Sequence, residues 1–306
     1  MILCCGEALI DMLPRVTAGG EHAFAPYAGG AVFNTAIALG RLGTAPGFFC
    51  GLSTDLFGEL LETKLAEAGV SSALAPRSDR PTTLAFVRLT DGHATYTFYD
   101  ENSAMRMMTE ADLPALPDDI SALFFGGISL VGEPCGTAFQ ALMAREAASR
   151  VTMIDPNIRP SFITDRAAYV ARVKDMMALS DVVKLSDEDM HWLEGDGDLA
   201  DLAQDLIARG TKVVLITEGA KGATGYTAAH TVFVAANKVE VVDTVGAGDT
   251  FNAGFLAGLQ KAGALDKATL ADLSQNVLHD ALSLGIRTAA ITVSRAGANP
   301  PWENEL

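Results

Sequence analysis

Residues 242–251 read VDTVGAGDTF, a Gly-Ala-Gly turn that ends in an aspartate and runs into an apolar helical pattern. Phe251, Phe255, Leu259 and Ala262 fall at i, i+4, i+8 and i+11, one stripe of a helix spanning 249–262. Asp249 then stands in the first helical turn, just behind the backbone N–H groups of Gly246, Ala247 and Gly248. Such a helix start favours an anion, because its first donors lack intrahelical acceptors and the helix dipole is positive there. A carboxylate among those donors is expected to stay ionised at neutral pH. Placed beside an acceptor hydroxyl it could take a proton during phosphoryl transfer, whose loose transition state needs alignment and charge stabilisation more than a strong base. The same residues also fit a plain aspartate cap on a helix entered through glycines. Two other glycine loops are excluded. No Gly-x-x-x-x-Gly-Lys-Ser/Thr occurs in the chain, and a dinucleotide turn would need a third glycine where Phe251 stands, early in the chain rather than late.

Three further stretches carry groups suited to a sugar or a phosphate. Residues 29–43, GGAVFNTAIALGRLG, are a second glycine turn that opens a helix, with Asn34 one turn in. Two glycines let a ligand approach the backbone, and an asparagine offers both a donor and an acceptor; tight helix–strand packing explains the glycines equally well. In GEALIDMLP, Asp11 follows the first strand, where a carboxylate can accept from sugar hydroxyls or simply close a turn. Arg159 in DPNIRP follows a later strand and could hold a phosphate or sugar oxygen with its fork. Arg106 in SAMRMM could reach a sugar from below a hairpin. Either arginine could instead form a surface salt bridge. The five histidines are scattered without ligand spacing and are read as structural.

These groups must be held by elements, and the chain supplies an alternation of them. Short apolar runs at 1–6, 122–127, 151–156, 181–186 and 212–217 read as buried strands. Helical patterns follow at 31–42, 56–69, 134–149, 166–179, 198–209, 249–262 and 269–287. Strands alternating with helices of this length predict an α/β domain with a mainly parallel sheet, whose ligands gather beyond the carboxyl ends of the strands. Two segments break the rhythm. Residues 19–30 have no helical period, and 82–100 read as a hairpin turning at Asp91-Gly92. Together they suggest a small antiparallel sheet set off from the main one. No internal repeat or linker is present.

Composition narrows the partners. With 306 residues, 49% of them hydrophobic, a sizeable core is expected. The formal net charge of −16, from 38 acidic and 22 basic residues, disfavours nucleic acid and anionic membranes. Cys4, Cys5, Cys50 and Cys135 show no Cys-x-x-Cys spacing and read as reduced core thiols. The N-terminal stretch lacks a basic segment, and no apolar run nears the ~18 residues of a membrane span, so a soluble cytoplasmic protein is expected.

GGAVFNTAIALGRLG and DTVGAGDTF, taken together, resemble the two signatures of the ribokinase/PfkB carbohydrate kinase family. The resemblance runs from the first strand to VSRAGANPP near the end of the chain. GEALIDMLP, FYDENSAMRMM and IDPNIRPSF are more similar to the fructose-phosphorylating members than to ribokinases or adenosine kinases. The resemblance implies a ribokinase-like three-layer α/β/α core with a mainly parallel sheet, in one domain over 1–306, with a small β-sheet lid from segments about 12–28 and 82–103. It implies ATP-dependent phosphorylation of a sugar hydroxyl, fructose to fructose 6-phosphate. The alternatives are 2-keto-3-deoxygluconate as acceptor, or a catalytically silent sugar- or nucleotide-binding member of the fold.

Roles follow position by position. Asp249 becomes the base, the amides of Gly246, Ala247 and Gly248 the anion hole, and Arg159 a contact to the transferred phosphate. Asp11, Gly29, Gly30, Asn34 and Arg106 become sugar contacts. Lys184, Ser186, Thr217, Gly219 and Gly222 match the nucleotide stretch. Residues 243–245 and 290–297, with Asp243, match loops that hold a monovalent cation, K+, in many members. The family's Asn-x-x-Glu motif, linked to Mg2+ through water, appears here as Ser186-Asp187-Glu188-Asp189. That departure leaves Glu188 and Asp189 as competing metal residues. A homodimer through the lid is the expected assembly, since its exposed strand edge invites pairing.

Overall fold

The computed structural model describes residues 1–90 and 93–306, and the side chains of all but 88–96. The expected Asp91-Gly92 turn lies outside the described residues. The chain opens with β1 (Ile2–Cys5), β2 (Leu9–Val16), β3 (His22–Gly29) and α1 (Ala31–Arg41). Next come β4 (Gly47–Phe49), β5 (Leu52–Ser53), α2 (Leu56–Glu67), β6 (Arg77–Ser78), β7 (Leu84–Thr90) and β8 (His93–Tyr99). The middle of the chain holds β9 (Ala122–Gly126), α3 (Cys135–Glu146), β10 (Val151–Asp155), α4 (Arg166–Ala178), β11 (Val182–Ser186) and α5 (Asp187–Glu194). After α6 (Leu199–Ala208) follow β12 (Val213–Thr217), β13 (Gly222–Tyr226) and β14 (Thr231–Ala235). Three helices close the chain: α7 (Ala247–Lys261), α8 (Lys267–Ala271) and α9 (Gln275–Val293).

The main sheet has eight strands in the order β14-β13-β12-β11-β10-β9-β1-β4. From β4 to β12 all neighbours are parallel, while β13 and β14 add an antiparallel edge. Helices cover both faces, because successive strand residues point to opposite sides. In β1, Ile2 and Cys4 join the core beneath α1, α7 and α9, whereas Leu3 and Cys5 join the core beneath α3, α4 and α6. This divergence is why the adjacent cysteines cannot pair; all four cysteines are free and buried. The second sheet has four strands, β3-β2-β7-β8, with β2 parallel to β7 and the outer pairs antiparallel. Among the described residues no helix is long and apolar enough to cross a membrane.

The expected strands and helices appear within about three residues of their bounds, with three differences. The single helix expected over 269–287 is two, α8 and α9, because Ser274 accepts from the Val277 amide and starts a new helix. Asp11 lies inside β2, opposite Tyr27 on β3, rather than in a turn after the first strand. The stripe of α7 buries Phe251, Phe255 and Leu259 but ends there, since Ala262 is the exposed C-cap. β4, β13 and β14 had no clear signal. The first is three residues long, and β14 alternates exposed and buried residues at a sheet edge.

Candidate active site

The site is built outward from the start of α7. Close packing fixes this helix: a Cβ on Gly258 would meet the Cα of Ala281 in α9 at 2.6 Å, and one on Gly254 the Cα of Gly285 at 2.7 Å. The N-cap Gly246 is left-handed, with φ 79°, and a Cβ there would lie 2.7 Å from the Cβ of Ala298. Only glycine combines that conformation with that approach. The Gly246 and Gly248 amides have no protein acceptor among the described residues, while the Ala247 amide donates to the Thr244 carbonyl at 3.3 Å. Two of the three expected anion donors are therefore free, and Ala247 is turned into the loop.

Asp249 is the third residue of α7 and only 6% exposed. Its Oδ2 accepts from Asn34 Nδ2 at 2.9 Å, and Oδ1 faces Asn157 Nδ2 at 3.5 Å. Burial pushes its pKa up to about 7; the Asn34 bond and the Lys184 charge oppose the shift, while the charges of Asp155 and Glu7 add to it. This corrects the expectation of a carboxylate fully ionised at neutral pH. The helix start does not offset the loss of water around a buried group.

Asn34 sits one turn into α1, which begins at Gly30 with φ 109°. Gly29 is overlaid by the Asp11 carboxylate, so any side chain there would overlap it. Burial pushes the pKa of Asp11 up to about 6. A cavity of about 510 Å³ brings these parts together: Asp11, Gly30, Asn34, Arg159 and the 244–249 turn all line it. Gly29 lies behind Asp11 rather than on the wall. Phe98 of β8 and Phe162, whose ring centroids are 4.4 Å apart, form another side of the cavity.

Several expected residues fall elsewhere. Arg106 does not line the cavity; its Nη1 is paired with Asp100 at 2.7 Å and its Nε donates to the Glu133 carbonyl. Its guanidinium is engaged by an acid six residues upstream. Lys184 is 4% exposed, and its ammonium is paired with the buried Asp155 at 2.9 Å. Its Nζ lies beneath Gly248, 3.3 Å from where a Cβ would stand, on the protein side of the anion turn. A buried partner explains why it is not an open nucleotide contact. Ser186 and Thr217 are paired neighbours at the carboxyl ends of β11 and β12, followed by Gly219 with φ 52° and Gly222 with φ 135°. They form a strip separate from the cavity. Glu188 is exposed, whereas Asp189 is buried and its carboxyl is pushed up by burial and by Asp155. Asp243 accepts from the amides of Val245 and Gly297, clasping the two loops expected to hold a monovalent cation.

Sequence reasoning passed over Asn157, Asp155, Asn252 and Glu7. Asp155 accepts from Asn252 Nδ2 at 2.7 Å and from the Asn157 amide at 3.1 Å, holding Asn157 at φ 46° so that it faces Asp249. In the sequence only position hinted at Asn157, which lies within the same DPNIRP segment as Arg159; its left-handed backbone shows only in the fold.

An anion-ready helix start beside a buried carboxylate held by asparagines, at the carboxyl ends of a parallel sheet, defines a phosphotransferase acting on a hydroxyl. The chain matches the pfkB family carbohydrate kinases over residues 1–305 and belongs to that family. It is 55% identical over 280 residues to a fructokinase of Rhizobium leguminosarum bv. trifolii, covering 92% of this chain and 86% of that protein. A fructokinase of Xylella fastidiosa with bound ATP superposes with a TM-score of 0.88 at 31% identity, over 97% of this chain and 93% of that one. A fructokinase of Vibrio cholerae O395 bound to fructose, ADP and calcium superposes with a TM-score of 0.83 at 25% identity, over 97% and 94% of the two chains.

Proposed function

We propose that this sugar kinase transfers the terminal phosphoryl group of ATP to a hydroxyl of fructose, giving fructose 6-phosphate. The observation that carries the chemistry is Asp249, held by Asn34 at 2.9 Å and set in the same turn as the free Gly246 and Gly248 amides. Asp249 takes the proton of the acceptor hydroxyl. The two amides and Arg159 take up charge at the phosphoryl oxygens, and Asp11, Gly30 and Asn34 orient the sugar. ATP supplies the transferable group, lying from the cavity mouth along Ser186, Thr217, Gly219 and Gly222.

The acceptor follows from the 55% identity to a fructokinase and from the pairing of Arg106. An acidic sugar calls for a cationic contact, and Arg106 is already paired with Asp100. No three His, Cys, Asp or Glu side chains converge among the described residues. One exposed and one buried carboxylate, Glu188 and Asp189, suit a Mg2+ held by phosphate oxygens and water. The 243–245 and 290–297 loops, joined by Asp243, suit a monovalent cation bound through carbonyls.

The four-stranded sheet serves as a lid within one kinase unit, closing over the sugar through Asp11 and Phe98. Its exposed Phe24, Tyr27 and Tyr99 support a homodimer through that sheet in a cytoplasmic enzyme. The acidic surface keeps nucleic acid and membranes off the list of partners. A panel of fructose, ribose, 2-keto-3-deoxygluconate and adenosine with ATP tests the activity. Fructose is expected to give the highest kcat/KM, and preference for another acceptor, or no transfer to any, overturns the reading. Sedimentation tests the assembly, with a monomer at micromolar concentration overturning it.

A further inference from the structure

Glu7 is a carboxylate that the chemistry above leaves unused. It lies between β1 and β2, is 1% exposed and forms part of the cavity wall. Its Oε1 accepts from the amide of Val32 in the first turn of α1, and its Oε2 from the amide of Ser129 in the turn Gly127–Leu130, each at 3.3 Å. Burial raises its pKa, and only backbone amides, of Glu7, Ser129, Val32 and Ala31, oppose that shift. A buried carboxylate without a cationic partner is costly, so a neutral acceptor would serve better if one helix cap were all that was needed. A carboxylate alone, however, offers two acceptor oxygens and no donor, and here each oxygen serves a different element.

The two elements are neighbouring parts of the cavity wall, joined through one carboxylate. Gly30, at the start of α1, and Gly127, at the start of the other turn, both line it. Both turns are folded around Glu7. A Cβ on Gly30 would come within 3.0 Å of Glu7 Cγ, and one on Gly127, whose φ is 67°, would overlap Oε1. Asn34, which holds Asp249, donates its own amide to the Gly30 carbonyl at 2.8 Å. The wall that Glu7 pins is thus also the base of the Asn34–Asp249 contact.

We propose that Glu7 is a positioning residue for the acceptor. By bonding the first turn of α1 and the 127–130 turn at once, it sets the relative position of the two glycine turns that line the acceptor end of the cavity. The proposal rests on the assignment of this end of the cavity to the acceptor.

Glu7→Asp and Glu7→Gln test it. The first keeps the charge but shortens the arm, so both amides cannot be reached; the second keeps the length but has one acceptor oxygen. In each, the KM for fructose and the Kd for fructose by calorimetry are expected to rise about tenfold or more, the equivalent of ~1.4 kcal/mol. The KM for ATP is expected to stay within about twofold, a split that general loosening of the fold would not produce. An unchanged fructose KM in Glu7→Asp, or a parallel rise in both KM values, overturns the proposal. If Glu7→Gln does not fold, Glu7→Asp decides alone. Wild-type enzyme assayed alongside separates the two readings: failure to phosphorylate fructose refutes the acceptor, and the Glu7 comparison is then made with the sugar it does use.

Discussion

Asn34 Nδ2 donates to Asp249 Oδ2 at 2.9 Å, although 215 positions separate the two residues. Each oxygen of the carboxylate thus faces one asparagine donor, Oδ2 Asn34 and Oδ1, at 3.5 Å, Asn157, and each keeps a lone pair for the proton of an acceptor hydroxyl. The contact joins the first turns of α1 and α7, the two glycine-led helix starts. It also opposes the rise that burial imposes on the Asp249 pKa.

A base with a pKa of about 7 gives a pH profile with a defined sign. Asp249 must be unprotonated to accept, so kcat/KM is expected to rise from pH 5.5 and level off above pH 8, with a midpoint near neutrality. Initial rates at saturating ATP check this. A profile flat from pH 5 to 8 would mean that Asp249 is ionised throughout.

Replacing the base should separate chemistry from stability. Asp249→Asn is expected to lower kcat by about 10³-fold or more, with fructose binding by calorimetry largely retained. The folded-state pKa, about 7, lies above the ordinary 3.8, so the stability drawn from neutral Asp249 is full below 3.8 and lost as pH rises through 7. The asparagine variant does not titrate. Its melting temperature should exceed that of the ligand-free wild type at pH 8, with the difference closing toward pH 4.

Asn34→Ala removes the hydrogen-bond donor that favours the charged form of Asp249. The acid limb of the pH profile should then move to higher pH, and kcat/KM at pH 7 should fall about 10- to 100-fold. A fall in rate with no movement of the limb would assign Asn34 to sugar contact alone.

Lys184 and Asp155, at 4% and 2% exposure, form a buried pair. Lys184→Met leaves Asp155 buried with only its Asn252 and Asn157 donors and no cationic partner, which is expected to destabilise the protein by about 3–5 kcal/mol. Lys184→Met with Asp155→Asn should recover a large part of that loss in denaturant unfolding, because no charge is then stranded. Equal destabilisation in the single and double variants would show that the pair is not coupled.

Gly246→Ala is expected to cost about 1–3 kcal/mol through its left-handed backbone alone. The clash with Ala298 adds to this, and the displaced anion turn should lower kcat as well. Urea unfolding and steady-state rates measure the two effects together.

Much of this was legible along the chain. Apolar runs ending in Gly, Asp, Ser or Thr marked β1, β9, β10, β11 and β12, because a strand buried on both faces leaves few polar choices. The two glycine turns were visible for a similar reason. Positive φ and close approach restrict residue type at one position, and such restrictions survive in sequence. The break at Ser274 was missed because helical period continues across it, and only capping geometry shows that the chain stops and restarts.

What the linear order could not decide is which side of each turn a charged group occupies. Arg106, Lys184 and Asp243 are residue types that bind ligands, and the fold gave each a protein partner as well: Asp100, Asp155, and the amides of Val245 and Gly297. Glu7 and Asn157 looked unremarkable in sequence, yet both reach the cavity wall. Local conformation is set by near neighbours and can be read from residue types. Pairing, burial and the pKa of about 7 at Asp249 depend on groups such as Asn34, Asp155 and Lys184, brought together only when the sheet and its helices close around them.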